Sequence, residues 1–307
     1  MRIGLINELH GRPDGDSIAS NWESISDRAG RAEAAGFDSF VFEDALMYRG
    51  EEHTHGVWES FAIAAALAAV TETIHIGQSV VNSPYRSPAM TASIVTTLDD
   101  ISGGRYIFGI GAGNTPDSDY EAFGFPTDRR YSRFAEAIQI IHGLLRAGRA
   151  DFEGEFYRAR GAELILRGPR PAGPPIVIAA GKPKAMRLVA RYADEWNWWT
   201  GDRDGIVKLR ELVAEMDRAC EEVGRDPATL RRSLDVYSVA APGVPDAPAD
   251  STELHISGAP GPIAEALLAY GGLGFAEVRL NLRAPAHAPR TEAIAWMEDV
   301  VALVHAA

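Results

Sequence analysis

The sequence predicts an α/β fold, a (β/α)8 TIM barrel. Three observations lead there. Short apolar strand patterns alternate with helical patterns eight times along the 307 residues. The stretch Thr73–Asn114 reads as strand, loop, helix, turn, strand, a βαβ unit whose two strands must run parallel. No Pro/Gly-rich linker divides the chain into balanced halves, so residues 1–307 read as one domain. A doubly wound sheet is the alternative reading of the same alternation.

Each element has its own signal. Arg2–Asn7 is the first apolar strand, followed by a polar loop, Glu8–Asp16, that carries His10. Ser17–Ala35 has helical spacing and stops at Gly36; Phe37–Glu43 is the second strand. Asp44–Gly56 reads as a long loop with two histidines, and Val57–Val70 as an alanine-rich helix. Ile74, Ile76 and Val80-Val81 make the third strand. A helix over Ser87–Asp100 ends at Gly103-Gly104, and Tyr106–Ile110 is the fourth strand. Thr115–Thr127 reads as loop, with Asp128 capping a helix that runs to Leu145. Arg149–Gly173 breaks the alternation and is expected to be an insertion between strands 4 and 5, over the barrel mouth. The remaining strands fall at Pro175–Ala180, Glu195–Thr200, Arg231–Val239 and Ala276–Leu282. Their helices fall at Lys182–Tyr192, Asp204–Val223, Ile263–Gly271 and Thr291–Val304. Ala240–Gly258 is a Pro/Ala-rich loop.

Composition narrows the function. An apolar content of 46% is ample for a core of this size, and a net charge of −13 disfavours nucleic acid and bilayer surfaces as partners. The single cysteine, Cys220, allows no internal disulfide and reads as structural in a reducing compartment. No apolar run is long enough to span a membrane, and MRIGLINE reads as a strand, so the expectation is a soluble cytoplasmic protein.

In parallel α/β folds, ligands gather at the C-terminal ends of the strands, and several motifs lie there. GIGAGN, residues 109–114, lacks the last glycine of a dinucleotide fingerprint and follows the fourth strand rather than the first. It reads as a bare backbone for a flat ligand or as a tight turn. IAAGKP, residues 178–183, ends a strand and opens a helix whose first N–H groups suit an anion. Lys182, Lys184 and Arg187 add positive charge, so a phosphate site is expected. Of Glu43 and Asp44, alternation turns one carboxylate inward, as a hydrogen-bond partner or base. His10, His53 and His55 are candidate acid/base groups, and EEHTH does not have metal-ligand spacing, so no metal is expected. Among Trp196, Trp198 and Trp199, one is a candidate pocket wall. Serine-nucleophile and Walker motifs are absent from the sequence.

The blocks IGQSVVNSPYRSPAMTASIVTTLDDISGGRYIFGIGAGN and PPIVIAAGKPKAMRLVARYADEWN resemble the luciferase-like family of flavin- and deazaflavin-dependent oxidoreductases. The resemblance runs over nearly the whole chain and implies the (β/α)8 fold. It also implies a cis peptide at Ser79-Val80, behind the cofactor ring. The wording is most similar to the branch that uses the deazaflavin coenzyme F420. That implies Asp44, Gly113 and Asn114 at the ring, and Ala179, Ala180, Gly181 and Lys182 at the phosphate. Two positions depart from the sugar-phosphate dehydrogenases of that branch: Ala45 stands where they carry a catalytic histidine, and Asn114 where they carry a glutamate. Glucose 6-phosphate is therefore not assigned. The resemblance implies an F420-dependent oxidoreductase, working as a homodimer on a small-molecule organic substrate. Hydride would pass beneath the loops at 8–13, 44–56 and 149–173. The alternatives are a monooxygenase using reduced FMN and oxygen, and a non-catalytic cofactor-binding protein.

Overall fold

The computed structural model describes residues 1–11, 21–49, 54–113, 118–202, 204–241, 244, 252, 254–283 and 290–307. Eight strands form its main sheet: β1 (Arg2–Asn7), β2 (Ser39–Phe42), β3 (His75–Gln78), β4 (Tyr106–Gly111), β5 (Ile176–Ala179), β6 (Glu195–Thr200), β7 (Arg231–Ala240) and β8 (Glu277–Arg283). The strand order is β5-β6-β7-β8-β1-β2-β3-β4, with Val81–Asn82 added beside β4, and β5 also pairs in parallel with β4. The sheet thus closes on itself as a parallel barrel, and all eight expected strands are present; seven end within two residues of the expected ends, and the third stops at Gln78, three residues before Val81. The main helices are α1 (Trp22–Ala34), α2 (Ser60–Val70), α3 (Pro88–Ile101), α4 (Arg130–Ala147), α5 (Pro183–Tyr192), α6 (Gly205–Glu222), α7 (Pro260–Gly271) and α8 (Glu298–Ala306).

By contact density the chain divides into two units, residues 1–7, 21–41 and 180–307, and residues 8–20 and 42–179. The first holds a buried polar layer. Arg279 donates to Glu277 Oε1 at 3.2 Å and to Glu195 Oε1 at 2.9 Å. Asn197 donates to Ser233 Oγ at 3.2 Å and to Asp235 Oδ1 at 3.1 Å, and Ser39 Oγ donates to Glu277 Oε1 at 2.5 Å. Period two puts these side chains on one face of β6, β7 and β8. A Cβ at Gly4 would overlap Ser39 Oγ, so only glycine lets β1 approach this layer. In the second unit β3 and β4 interlock through glycines. A Cβ on Gly77 would meet the Ile107 carbonyl, and one on Gly109 the Gln78 carbonyl.

Several expectations are corrected. The segment 44–56 is not a plain loop. Met47–Arg49 and Thr54–Val57 form an antiparallel ribbon with His10–Gly11, in which His10 pairs with Val57. Strands this short carry no readable alternation. Helix α2 consequently starts at Ser60 rather than Val57, and Glu59 caps it by accepting the Ala62 N–H at 2.7 Å. Asp128 does not cap α4: its carboxylate is drawn to Arg133 Nη2 at 2.9 Å, and the cap residue is Arg129 in left-handed conformation, φ 46°. Ser118–Ala122 is a short helix where loop was expected, and the last helix is broken at buried Met297 into Arg290–Trp296 and α8. The start expected for α1, at Ser17, lies outside the described residues. Helix α1 is instead fixed by a reciprocal capping box between Asn21 and Ser24.

The 149–173 segment is an antiparallel hairpin, Arg149–Glu153 with Arg158–Glu163. At its base, Leu164 N–H bonds Gly148 O at 2.8 Å. Its tip lies along α4, where Glu136 accepts the N–H groups of Glu155, Phe156 and Tyr157. The stretch after its return strand is tied by Arg170 to Asp99 and to Tyr106 O, at the N-terminal end of β4. A helix that follows a barrel strand runs back toward the strands' N-terminal ends, so a segment between α4 and β5 leaves from that side.

Candidate active site

In the second unit, β3 ends in the cis peptide Ser79-Val80, as the resemblance implied. Ser79 N–H is held by Phe42 O at 2.9 Å, and both Ser79 and Val80 are half-exposed. The glycines that follow β4 serve this segment rather than open space. A Cβ at Gly111 would press on Val80 Cγ2 at 3.0 Å. Gly113, at φ 87°, leaves room for the Tyr120 hydroxyl and Pro84. The missing side chains of Gly111 and Gly113 thus let the protein pack on itself here. Asn114 lies outside the described residues.

Asp44 follows β2 and is 3% exposed. Its carboxylate accepts from Ser60 Oγ at 2.7 Å, Asn82 N–H at 2.9 Å, and Arg86 Nη1 and Nη2 at 2.8 and 3.0 Å. Asn82 returns a bond from its side-chain amide to the Asp44 carbonyl. Arg86 also pairs with Glu59 and lies over the Phe61 ring at 4.5 Å. Burial would lower the Arg86 pKa, but Asp44 and Glu59 outweigh it and hold the guanidinium above its ordinary value. Beside this hub, Tyr85 donates to Asp119, and burial together with that carboxylate pushes the Tyr85 phenol far above its usual range. Arg86 gave no signal in the sequence, because its partner lies 42 residues away and a lone arginine carries no periodicity.

Glu43, the neighbouring carboxylate, turns the other way. Its Oε1 accepts Leu9 N–H at 2.8 Å and lies 3.2 Å from His10 Nδ1. Glu8 Oε2 is 3.6 Å from His10 Nε2. The His10 ring meets Tyr48 edge-on at 5.4 Å and His55 at 5.8 Å. Two of the three candidate histidines are thus brought together, on the ribbon that the sequence reading had as loop. His53 lies outside the described residues. Among the described residues no cluster has the composition of a metal site.

In the first unit, Ala180 is buried and its carbonyl accepts Trp196 Nε1–H at 2.8 Å. Gly181 lies against the Trp198 ring. Lys182 is the N-cap of α5, in extended conformation and with no side-chain cap bond, and Pro183 occupies the first turn. Lys182 and Lys184 are exposed there, while Arg187 is drawn off to Glu222 at 2.8 Å. Trp196 is fully buried, and Trp199 is exposed.

Comparison with known proteins agrees with this architecture. A family model described as luciferase-like monooxygenase matches residues 1–295. The chain is 37% identical over 210 residues to 5,10-methylenetetrahydromethanopterin reductase of Archaeoglobus fulgidus, covering 68% of this chain and 56% of that one. It is 31% identical over 213 residues to the F420-dependent glucose-6-phosphate dehydrogenase of Nakamurella multipartita, covering 64% and 62%. A solved F420-dependent secondary alcohol dehydrogenase, with an F420-acetone adduct, superposes with a TM-score of 0.83 at 17% identity. That match covers 99% of this chain and 98% of the other and bears on the fold alone. With the family model spanning all but the last residues, the chain belongs to the luciferase-like monooxygenase family.

Proposed function

We propose that the protein is an oxidoreductase that binds F420 and passes a hydride to or from a small organic substrate. The observation that carries this reading is the amino end of α5. The helix opens with no side-chain cap, Lys182 and Lys184 flank it, and the chain as a whole carries −13. That donor set suits a phosphate group. The half-exposed Ser79-Val80 step, at the end of β3, suits a flat ring. When bound, F420 supplies two-electron hydride chemistry.

The chain's own residues bind, orient and move a proton. Ala179, Ala180, Gly181 and Lys182 hold the phosphate. Ser79, Val80, Gly113 and Asn114 lie along the ring. Asp44 has its carboxylate lone pairs taken by Ser60, Asn82 and Arg86, so it acts by fixing that segment rather than by touching the ring through its carboxylate. His10, oriented through Nδ1 by Glu43, carries the proton that accompanies the hydride. His55 packs against it. The protein works as a cytoplasmic homodimer.

The second reading, a monooxygenase using reduced FMN and oxygen, is favoured by the family's description. Parallel titrations of the apo-protein with F420 and FMN, each oxidised and reduced, separate the two. Tight F420 and weak FMN binding is the expected result. Preference for reduced FMN, with oxygen consumption, would establish the second reading instead, and binding of neither would remove both.

A further inference from the structure

The C-terminal ends of β6 and β7, in the first unit, carry exposed aromatic side chains. Asn197 and Asp235 mark the face of the sheet that carries the buried polar layer, since they bond to each other across β6 and β7. Two residues further along each strand, on that same face, stand Trp199 and Tyr237. Both are large aromatics, yet Trp199 is 52% and Tyr237 40% exposed. Their rings meet edge to face at 6.2 Å and 87°, and Trp198 stacks beside Trp199 at 6.3 Å. Gly201 adds no bulk at this point: a Cβ there would lie 3.5 Å from Trp199 Cζ3 and 3.8 Å from Tyr237 Cβ.

The backbone is shaped to present this pair. Val236 is opposite Leu280 and Val239 is opposite Leu282, so Tyr237 and Ser238 together face Asn281: β7 carries a bulge. Ser238 sits at φ 73°, one of two non-glycine residues in left-handed conformation among the described residues. Bulges re-aim side chains and are concentrated near functional sites. Here the bulge turns Ser238 Oγ to Arg283 Nη1 at 3.2 Å. Arg283 is exposed at the end of β8, and among the described residues no carboxylate pairs with it.

We propose that Trp199, Tyr237 and Arg283 form a subsite for a planar aromatic carboxylate. The aromatic pair takes the ring by stacking and edge contacts, and the guanidinium takes the acid group through its fork of N–H donors. The ligand's role as the enzyme's substrate rests on the oxidoreductase reading; its binding does not.

The test is isothermal titration of the full chain with 2-naphthoate and 2-naphthol, two probes of the same ring that differ in charge. 2-Naphthoate is expected to bind about tenfold more tightly. Trp199→Leu and Tyr237→Leu should each weaken both probes by about tenfold. Arg283→Gln should bring 2-naphthoate down to the affinity of 2-naphthol and leave 2-naphthol unchanged. Arg283 is an exposed side chain, so this variant reads out the site even if an aromatic variant fails to fold. Absence of binding by either probe, or affinities that none of the three substitutions moves in proteins of unchanged circular dichroism, would overturn the proposal. Titrations with F420 and FMN on the same samples keep the two readings apart: the naphthoate pattern with neither cofactor binding would sink the oxidoreductase reading and leave the subsite standing.

Discussion

Trp198 lies so close to Gly181 that a side chain at position 181 would overlap the indole ring. The glycine that the sequence offers as part of a phosphate loop is thus also required by packing. Gly181→Ala should destabilise the protein by about 1–3 kcal/mol through overpacking. Most of that loss should vanish in a Trp198→Ala background, where the ring is gone. Urea midpoints of the four proteins in the cycle measure it; an undiminished cost in the double variant would show that Trp198 is not the obstacle. It follows that loss of cofactor binding in a Gly181→Asp variant would not locate a phosphate. Lys184→Glu, on an exposed side chain in the first turn of α5, tests the charge without touching the packing.

Asp44 and Arg86 form a largely buried ion pair in the second unit, with side chains 1% and 14% exposed. Asp44→Asn removes the charge while two guanidinium N–H groups still point at it. The expected cost is about 3–5 kcal/mol, the range for breaking one half of a buried pair. Asp44→Asn combined with Arg86→Met should be less unstable than Asp44→Asn alone, because the buried guanidinium is gone and Glu59, which loses it as a partner, is exposed to water. Equal urea midpoints for the single and double variants would contradict this account.

The barrel was legible because its signals are local. Glu195–Thr200 is read correctly to the residue, since a tryptophan-rich hexapeptide is bounded by the helix that ends at Tyr192 and the helix that opens at Gly205. Gly103 and Gly104 end α3 as expected, with φ of 60° and 88°. What stayed hidden depends on pairing at a distance. The His10–Gly11 strand is two residues long and owes its existence to Val57, 47 positions on by sequence numbering from His10. The bulge at Tyr237-Ser238 has no glycine to announce it. The hairpin after α4 was recognised as an interruption, but its position follows from Glu136 and Arg170, whose partners periodicity does not reveal.

Cys220 is fully buried in α6, and burial pushes its thiol up from the ordinary value. A protonated, enclosed thiol is a poor nucleophile. In native buffer the protein should react with a thiol reagent only as fast as it opens, and at the full rate of a free thiol in urea. A fast stoichiometric reaction of the native protein would place Cys220 at the surface and reopen it as a functional group.

Glu43 holds His10 through Nδ1, leaving the imidazole oriented at the carboxyl end of β2. If this is the proton-transfer group, His10→Gln should lower turnover about 10²–10⁴-fold while the cofactor dissociation constant stays within about twofold. Glu43→Gln should cost less, since the imidazole remains. The measurement is oxidation of reduced F420 against a panel of small ketones. Partial recovery of a His10→Ala variant by added imidazole would distinguish proton transfer from a packing role, whereas turnover unchanged in His10→Gln would remove the residue from the mechanism.

Glu277 provides the sharpest dependence on pH. Burial alone would raise its pKa, but Arg279, Arg2 and the Ser39 hydroxyl outweigh burial and hold the carboxyl down to about 2, against an ordinary 4.5. A carboxyl whose folded pKa lies below its unfolded one contributes stability above the unfolded value, and that contribution is lost as pH falls toward the folded value. The native protein should therefore lose stability from this group between about pH 4.5 and pH 2, while at neutral pH the contribution is complete. Glu277→Gln leaves Arg279 with Glu195 and Asp235 but takes away its nearest charge along β8. The variant should be clearly less stable than the parent at pH 7, and the gap should narrow steadily below pH 4.5. Urea midpoints of both proteins across that range measure it. A gap that is constant with pH would mean that the carboxylate charge is not what Arg279 requires, and that the loss reflects shape alone.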